Sequence, residues 1–186
     1  PLSACLQSTC VKGLSLIPAD IRLAGAELEL VELERREYRL KHLLKTIEGD
    51  FDFLFVDCPP SLGLLTVNAL TAAQRVLIPI QCEYYALEGV SSLMNTVNRV
   101  KHAFNPGLDI EGVLLTMLDA RTNFGIQVVD SFKKHFKSRV FATAIPRNVR
   151  LGEAPSHGLP IHLYDPRSLG ADSYRRLAQE FLQRNR

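Results

Sequence analysis

The sequence feature that most constrains the fold is an unbroken apolar run, Phe53 to Val56, which ends at the acidic residue Asp57. Gly49-Asp50 precede the run and Pro59-Pro60 follow it, so turn-forming residues bound it on both sides. A short apolar run bounded in this way is typical of a strand that is buried on both faces in a parallel sheet. The pattern therefore predicts Asp57 at the carboxyl end of such a strand, where open α/β sheets bind their ligands.

A carboxylate in that place needs a partner, because burying a bare charge is too costly. In phosphate-binding NTPases an aspartate that ends a strand, at the Walker B position, holds the water shell of Mg²⁺. The alternative is that Asp57 caps the helix predicted over residues 64–73. Spacing alone leaves both interpretations open.

The rest of the chain alternates predicted strands with predicted helices. Strands are predicted over residues 14–18, 53–57, 76–80, 110–118 and 140–145. Helices are predicted over residues 64–73, 87–104, 124–136 and 168–183, and two more over residues 21–47 with Asp20 as the N-cap. Such alternation predicts an α/β fold, with a mostly parallel sheet and helices on both of its faces.

Length and composition favour one ordinary globular domain over residues 1–186. No apolar run approaches the roughly 20 residues that a membrane-spanning helix needs. The four cysteines lack zinc-ligand spacing, so we expect reduced thiols in a cytoplasmic protein. The chain opens in mid-pattern without a methionine, and we expect it to be incomplete at its N-terminus.

Charge is distributed unevenly along the chain, although the formal net charge is only +2. Residues 1–93 hold eight Lys and Arg against twelve Asp and Glu, whereas residues 94–186 hold fourteen against eight. A basic half of this kind fits contact with a polyanion such as nucleic acid. An ordinary solvated surface explains it equally well.

Six blocks of the sequence resemble one known family. The run Asp57 to Thr66 is similar to the Walker B and switch region of ParA/Soj-type partitioning ATPases. Later blocks resemble the same family in the same order, at residues 78–89, 115–123, 145–151, 153–158 and 164–168. The resemblance extends from about Leu14 to the end of the chain and implies a P-loop NTPase fold.

The resemblance also implies a function. Members of this family are dimeric, ATP-dependent switches that bind DNA nonspecifically and help to segregate chromosomes or plasmids. It implies ATP or ADP and Mg²⁺ as cofactors, nonspecific DNA and a ParB-like centromere-binding protein as partners, and dimer formation on ATP binding. It further implies a cytoplasmic, nucleoid-associated location and no membrane partner.

The resemblance implies nucleotide-binding roles for particular residues. Asp57 is expected to order the water shell of Mg²⁺, and the loop from Cys58 to Gly63, which includes Pro59, to sense the γ-phosphate. The nucleotide base is expected to lie against residues that follow the later strands, namely Met117, Pro146 and Asn148.

Other residues acquire DNA-binding roles from the same resemblance. Arg121 and Arg150 match positions implicated in DNA binding, and arginine contacts to phosphate supply affinity without reading sequence. Lys133 and Lys134, on the helix predicted over 124–136, and Lys137 just after it would widen that surface. The alternative for the three lysines, a solvated helix face, stays open.

The sequence departs from the family in one respect. No stretch fits the phosphate-loop pattern G-x-x-x-x-G-K-[ST], and the nearest pairing, Lys12-Gly13, lacks its spacing. Because that loop supplies the backbone N–H groups and lysine that hold phosphates, we expect weak or absent nucleotide binding and inefficient hydrolysis by this chain alone. We also expect exposed apolar surface where the family's first units would pack.

Two further hypotheses follow from this departure. One is a binding module that keeps DNA or partner contacts but has lost nucleotide chemistry. The other is an unrelated hydrolase that uses Cys58 as its nucleophile, although no general base is apparent near it in the sequence.

Overall fold

The computed structural model describes residues 1–83, 86–119 and 123–186. These residues form two compact units, one of residues 1–74 and 93–109 and the other of residues 75–92 and 110–186. The prediction of one domain over residues 1–186 stays a prediction.

Four strands and eight α-helices are assigned within the described residues. The strands are β1 (Gln7–Ser8), β2 (Ser15–Leu16), β3 (Arg75–Gln81) and β4 (Asp109–Thr116). The helices are α1 (Arg22–Leu30), α2 (Arg39–Leu44), α3 (Leu64–Ala72), α4 (Ala86–Ala103), α5 (Asn123–Phe136), α6 (Val149–Glu153), α7 (Ile161–Tyr164) and α8 (Leu169–Arg184). Short 3₁₀ turns cover Leu2–Cys5, Arg36–Tyr38, Glu48–Asp50, Lys137–Arg139 and Ala154–His157.

Side-chain amides organise the first unit. The Oδ1 atom of buried Asn68 on α3 accepts the backbone N–H of Leu40 at 3.1 Å, which ties α2 to α3. The amide of Asn105 donates to the carbonyls of Leu70 and Ala73, at 3.0 and 2.7 Å, and so satisfies the end of α3. Such bonds remove the penalty of burying unpaired polar groups.

Parallel pairing organises the second unit. Strands β3 and β4 are hydrogen-bonded neighbours joined through α4, a connection typical of parallel strands. On the other side of β4, parallel bridges join Val113 to Val140 and Leu118 to Pro146. A buried cluster fills this unit, formed by Leu114, Phe141 and Ile145 with Leu77, Leu151, Leu177 and Phe181 packed against it. The predicted α/β class with parallel pairing is confirmed.

Most predicted helices are also confirmed, because their apolar stripes and caps are strong local signals. The structure places Ile21 rather than the predicted Asp20 at the cap position of α1, although the Asp20 carboxylate accepts the N–H of Arg22 at 2.8 Å. Ser168 caps α8 by accepting the N–H of Ala171 at 3.1 Å. On α8, however, Tyr174 and Ala178 are exposed, so the predicted apolar stripe is only partly buried.

The predicted central strand over residues 53–57 is wrong for this structure. The run belongs to neither sheet of the described residues, and its side chains are exposed, with Phe55 exposed by 73%. An apolar run is buried only where neighbouring strands and helices cover it, and the run itself carries no information about them. The strand predicted over 140–145 is reduced to isolated bridges, and the pair β1–β2 is antiparallel rather than parallel.

Exposed apolar side chains are frequent in the first unit, as the sequence predicted. Besides the run at 53–56 they comprise Leu14, Leu16, Ile17, Ile21, Leu23, Leu28, Val31, Leu33, Leu43 and Leu62. None of the described helices combines the length and apolar character needed to cross a membrane.

Candidate functional site

Asp57, the predicted magnesium residue, lies in the first unit directly after the exposed apolar run. Its side chain is exposed, and among the described residues no hydrogen bond or ion pair engages its carboxylate. The helix predicted over residues 64–73 is present as Leu64–Ala72, but its cap residue is Gly63, so the alternative of Asp57 as the helix cap is wrong. An accessible carboxylate oxygen is a ligand that Mg²⁺ and its bound waters prefer. The donor chemistry at Asp57 therefore fits a water-mediated magnesium site.

The loop from Cys58 to Gly63 has one fixed end. Its exposed members include Cys58, Pro59 and Pro60, while the carbonyl of Ser61 accepts the hydroxyl of Thr66 at 2.6 Å. This bond ties the loop to the first turn of α3. A loop that is fixed at one end and exposed along its length is suited to contact a ligand.

Glu27 is a residue that no sequence pattern singled out. Its Oε1 atom accepts the backbone N–H of Leu65 at 3.1 Å, at the N-terminal turn of α3. A Cβ atom built at Gly63 would lie 2.3 Å from the same oxygen. Negative charge at a helix N-terminus is favourable, since the N–H groups there have no intrahelical acceptor. Glu27 thus caps α3 from outside it, over 38 residues of separation, which no local pattern could have indicated.

Cys58 does not have the surroundings of a nucleophile. Partial desolvation raises the pKa of the Cys58 thiol, and the negative charge of Asp57 raises it further. Its sulfur donates to the carbonyl of Val56 at 3.6 Å. Since the thiolate is the reactive form, a raised pKa argues against the hydrolase hypothesis.

Met117, Pro146 and Asn148, the predicted base-contacting residues, lie in the second unit on adjoining segments. Met117 directly follows β4, and the parallel bridge of Leu118 to Pro146 brings the two segments together. Leu118 donates its N–H to Ile145 at 3.1 Å and accepts the N–H of Arg147 at 3.2 Å. This is the carboxyl edge of the parallel pairing, where ligands of α/β folds bind.

Two backbone details mark this edge. Met117 has a φ of +54°, in the left-handed region that non-glycine residues seldom adopt. Asn148 is the N-cap of α6, and its Oδ1 atom accepts the N–H of Arg150 at 2.9 Å. A non-glycine residue in the left-handed region, such as Met117, is found preferentially at ligand sites, which supports a hypothesis of function here.

Of the predicted DNA-binding residues, Arg150 is the best defined. It lies on α6 with 54% of its side chain exposed, and it forms ion pairs with Glu153 and Asp165. Lys133 and Lys134 are exposed on α5, which leaves both of their interpretations open. Arg121 lies outside the described residues.

Comparisons with known proteins support the family that the sequence blocks predicted. A family model described as an AAA domain matches residues 1–110. Over 175 residues the chain is 61% identical to the sporulation initiation inhibitor protein Soj of Bacillus subtilis. The aligned region covers 94% of this chain and 69% of that protein. It is 50% identical over 185 residues to the chromosome partitioning protein ParA of Myxococcus xanthus, covering 100% of this chain and 65% of that protein.

A solved structure gives the same result for the fold. Cobyrinic acid a,c-diamide synthase from Mycobacterium smegmatis, crystallised with an ATP analogue and magnesium, is similar with a TM-score of 0.84 at 39% identity. The match covers 97% of this chain and 67% of that one. The chain thus spans about two thirds of the length of the proteins it resembles.

High identity over nearly all of this chain, together with the matching fold, shows the family. The chain belongs to the ParA/Soj-type partitioning ATPases, a family with the P-loop NTPase fold.

Proposed function

We propose that this chain functions in an ATP-dependent, dimeric switch that binds DNA without sequence preference and acts in chromosome or plasmid segregation. The observation that carries the proposal is an exposed arginine, Arg150, on the helix that follows a candidate nucleotide edge. The names of the relatives support the partitioning role. A ParB-like centromere-binding protein and the nucleoid, within the cytoplasm, belong to the same proposal.

Each of the two units carries residues to which we assign a nucleotide-binding role. In the second unit, Met117, Pro146 and Asn148 provide a surface of apolar and amide groups for the base. In the first, Asp57 orders waters of the metal, and the loop that contains Pro59 contacts the γ-phosphate. When bound, Mg²⁺ would neutralise charge on the phosphates.

DNA binding is assigned to the basic residues of the chain's second half. Arg150, Arg121, Lys133 and Lys134 contact phosphates rather than base edges. Contacts of this kind make affinity fall with salt and leave it nearly independent of sequence. The excess of Lys and Arg over Asp and Glu in residues 94–186 supports this assignment.

A second candidate function is a DNA- or partner-binding module without nucleotide hydrolysis. The excess of Lys and Arg in residues 94–186 supports it without requiring nucleotide chemistry. Both candidates share the DNA surface and differ in nucleotide chemistry.

The shared DNA surface is tested by Arg150→Ala in the product of the complete coding sequence, with Mg-ATP present. We expect weaker binding to duplexes of every sequence, by about 3- to 10-fold, and a salt slope reduced by about one. The matched control is Arg176→Ala, which removes the same charge from an exposed arginine on α8 paired with Asp172. Equal retention of both variants and the parent on nonspecific duplex at low salt would count against the proposal.

A further inference from the structure

Arg150 is held between two carboxylates. Its Nη1 atom lies 2.8 Å from Oε2 of Glu153, one helical turn away on α6, and its Nε atom lies 3.4 Å from Oδ2 of Asp165. The hydroxyl of Tyr164 donates to the same Glu153 oxygen at 3.2 Å. The hydrogen bond and charge of Arg150 correspondingly lower the pKa of the Glu153 carboxyl, an effect that the Tyr164 bond reinforces.

The two carboxylates are placed by the fold of the second unit. Leu151 packs against the buried cluster of this unit. It also lies close to Gly170, because a Cβ atom built at Gly170 would be 2.7 Å from the Cγ atom of Leu151. The ring of His157 stacks on Tyr164 with centroids 4.8 Å apart. Helix α6 and the segment around Tyr164 are therefore anchored, and Glu153 and Asp165 are anchored with them.

The carboxylates oppose the role that Arg150 has in DNA binding. A phosphate that approaches the guanidinium meets two negative charges and competes with Glu153 for an N–H group that already donates to it. The side chains of Glu153 and Asp165 are 39% and 32% exposed, so water screens the ion pairs and their strength is modest. A modest pair can be exchanged for a phosphate, whereas a buried one could not.

We propose that Glu153 and Asp165 set the DNA affinity of this surface by competing with phosphate for the guanidinium of Arg150. The proposal rests on the proposed function, since it needs Arg150 to contact DNA. The two carboxylates act through Arg150 and do not touch DNA themselves.

The test compares variants of the complete gene product on one labelled nonspecific duplex at fixed salt with Mg-ATP. We expect Glu153→Gln to bind about two- to fivefold tighter than the matched control Asp172→Asn, as is typical of an exposed ion pair. Asp172 pairs with Arg175 and Arg176 on α8, so its substitution makes the same change of net charge away from Arg150. Asp165→Asn is the second variant, expected to give a gain of the same sign.

A double variant separates competition from general charge. We expect Arg150→Ala with Glu153→Gln to bind no tighter than Arg150→Ala alone. A gain that persists without Arg150, or a Glu153→Gln affinity equal to or weaker than that of the control, would overturn the proposal. If Arg150→Ala binds like the parent, the proposed DNA role of Arg150 fails instead, and the two failures are thereby distinguished. Thermal unfolding of each variant checks that it is folded.

Discussion

At the scale of single residues, Asp57 and Arg150 differ in what surrounds their charges. Within the described part of the chain the Asp57 carboxylate has no ion pair, whereas Arg150 has two. An accessible carboxylate can take up a hydrated metal, while a paired guanidinium must exchange one anion for another. The two residues are therefore expected to respond differently to substitution.

We expect Asp57→Ala to lower the Mg²⁺-dependent ATP turnover of the complete gene product by about 10- to 100-fold, as loss of an outer-shell metal partner commonly does. The measurement is initial rate against Mg²⁺ concentration. Asp52→Ala, which removes another exposed carboxylate before the same apolar run, is the control. Normal turnover in the Asp57 variant would contradict the assigned role.

The site residues themselves stay predictions. Asp57 was chosen because it follows an apolar run, and Met117, Pro146 and Asn148 because they lie in family blocks. One ion-pair partner of Arg150 is consistent with local sequence spacing, because Glu153 lies at i+3 on the same helix and this spacing brings side chains together. Asp165 is 15 positions away from Arg150, and no periodicity links the two.

At the scale of elements, helix α3 depends on a distant cap. Glu27 of α1 accepts the N–H of Leu65 across a long separation in sequence, and Gly63 leaves the space for its carboxylate. The helix itself was predicted from its sequence, but its cap was not. The start of α8 at Ser168 depends on a local signal and was predicted well for the opposite reason, whereas the predicted cap Asp20 lies one residue before Ile21, the cap residue of α1.

We expect Gly63→Ala to lower the free energy of unfolding by about 1 kcal/mol, because the new Cβ displaces the Glu27 carboxylate and breaks its hydrogen bond. Glu27→Ala should cost about as much by itself. In the double variant the two losses should not add, since both remove the same bond. Denaturant unfolding of the four proteins measures this, and additive losses would contradict the shared cause.

The apolar run at 53–57 shows that the composition of a segment alone does not predict whether it forms a buried strand. Its residues have the composition of a central strand, yet the structure places them outside both sheets and leaves Phe55 largely exposed. Whether an apolar run is buried depends on the strands and helices beside it, which its own sequence does not contain.

At the scale of the whole molecule, the proposed nucleotide chemistry and the proposed DNA contact rest on different parts of the sequence. Phosphate binding in P-loop proteins depends on a glycine-rich loop with a lysine, which this sequence does not contain. DNA contact depends on basic residues, which the second half contains in excess. The two properties can therefore be measured separately.

We expect the 186-residue chain to bind Mg-ATP more weakly than the micromolar range, because backbone N–H groups of a phosphate loop are the main source of such affinity. Titration calorimetry with Mg-ATP measures this, with Asp57→Ala as the comparison. Micromolar affinity would remove the module without nucleotide chemistry and would show that other groups hold the phosphates.

The central claim is that the protein binds DNA through phosphates and not through base sequence. The measurement is fluorescence anisotropy of two duplexes of equal length and unrelated sequence, titrated with the complete gene product and Mg-ATP between about 50 and 200 mM salt. We predict equal affinities for the two duplexes and a linear fall of log affinity with log salt. Affinity that differs strongly between the duplexes, or that does not change with salt, would contradict the claim.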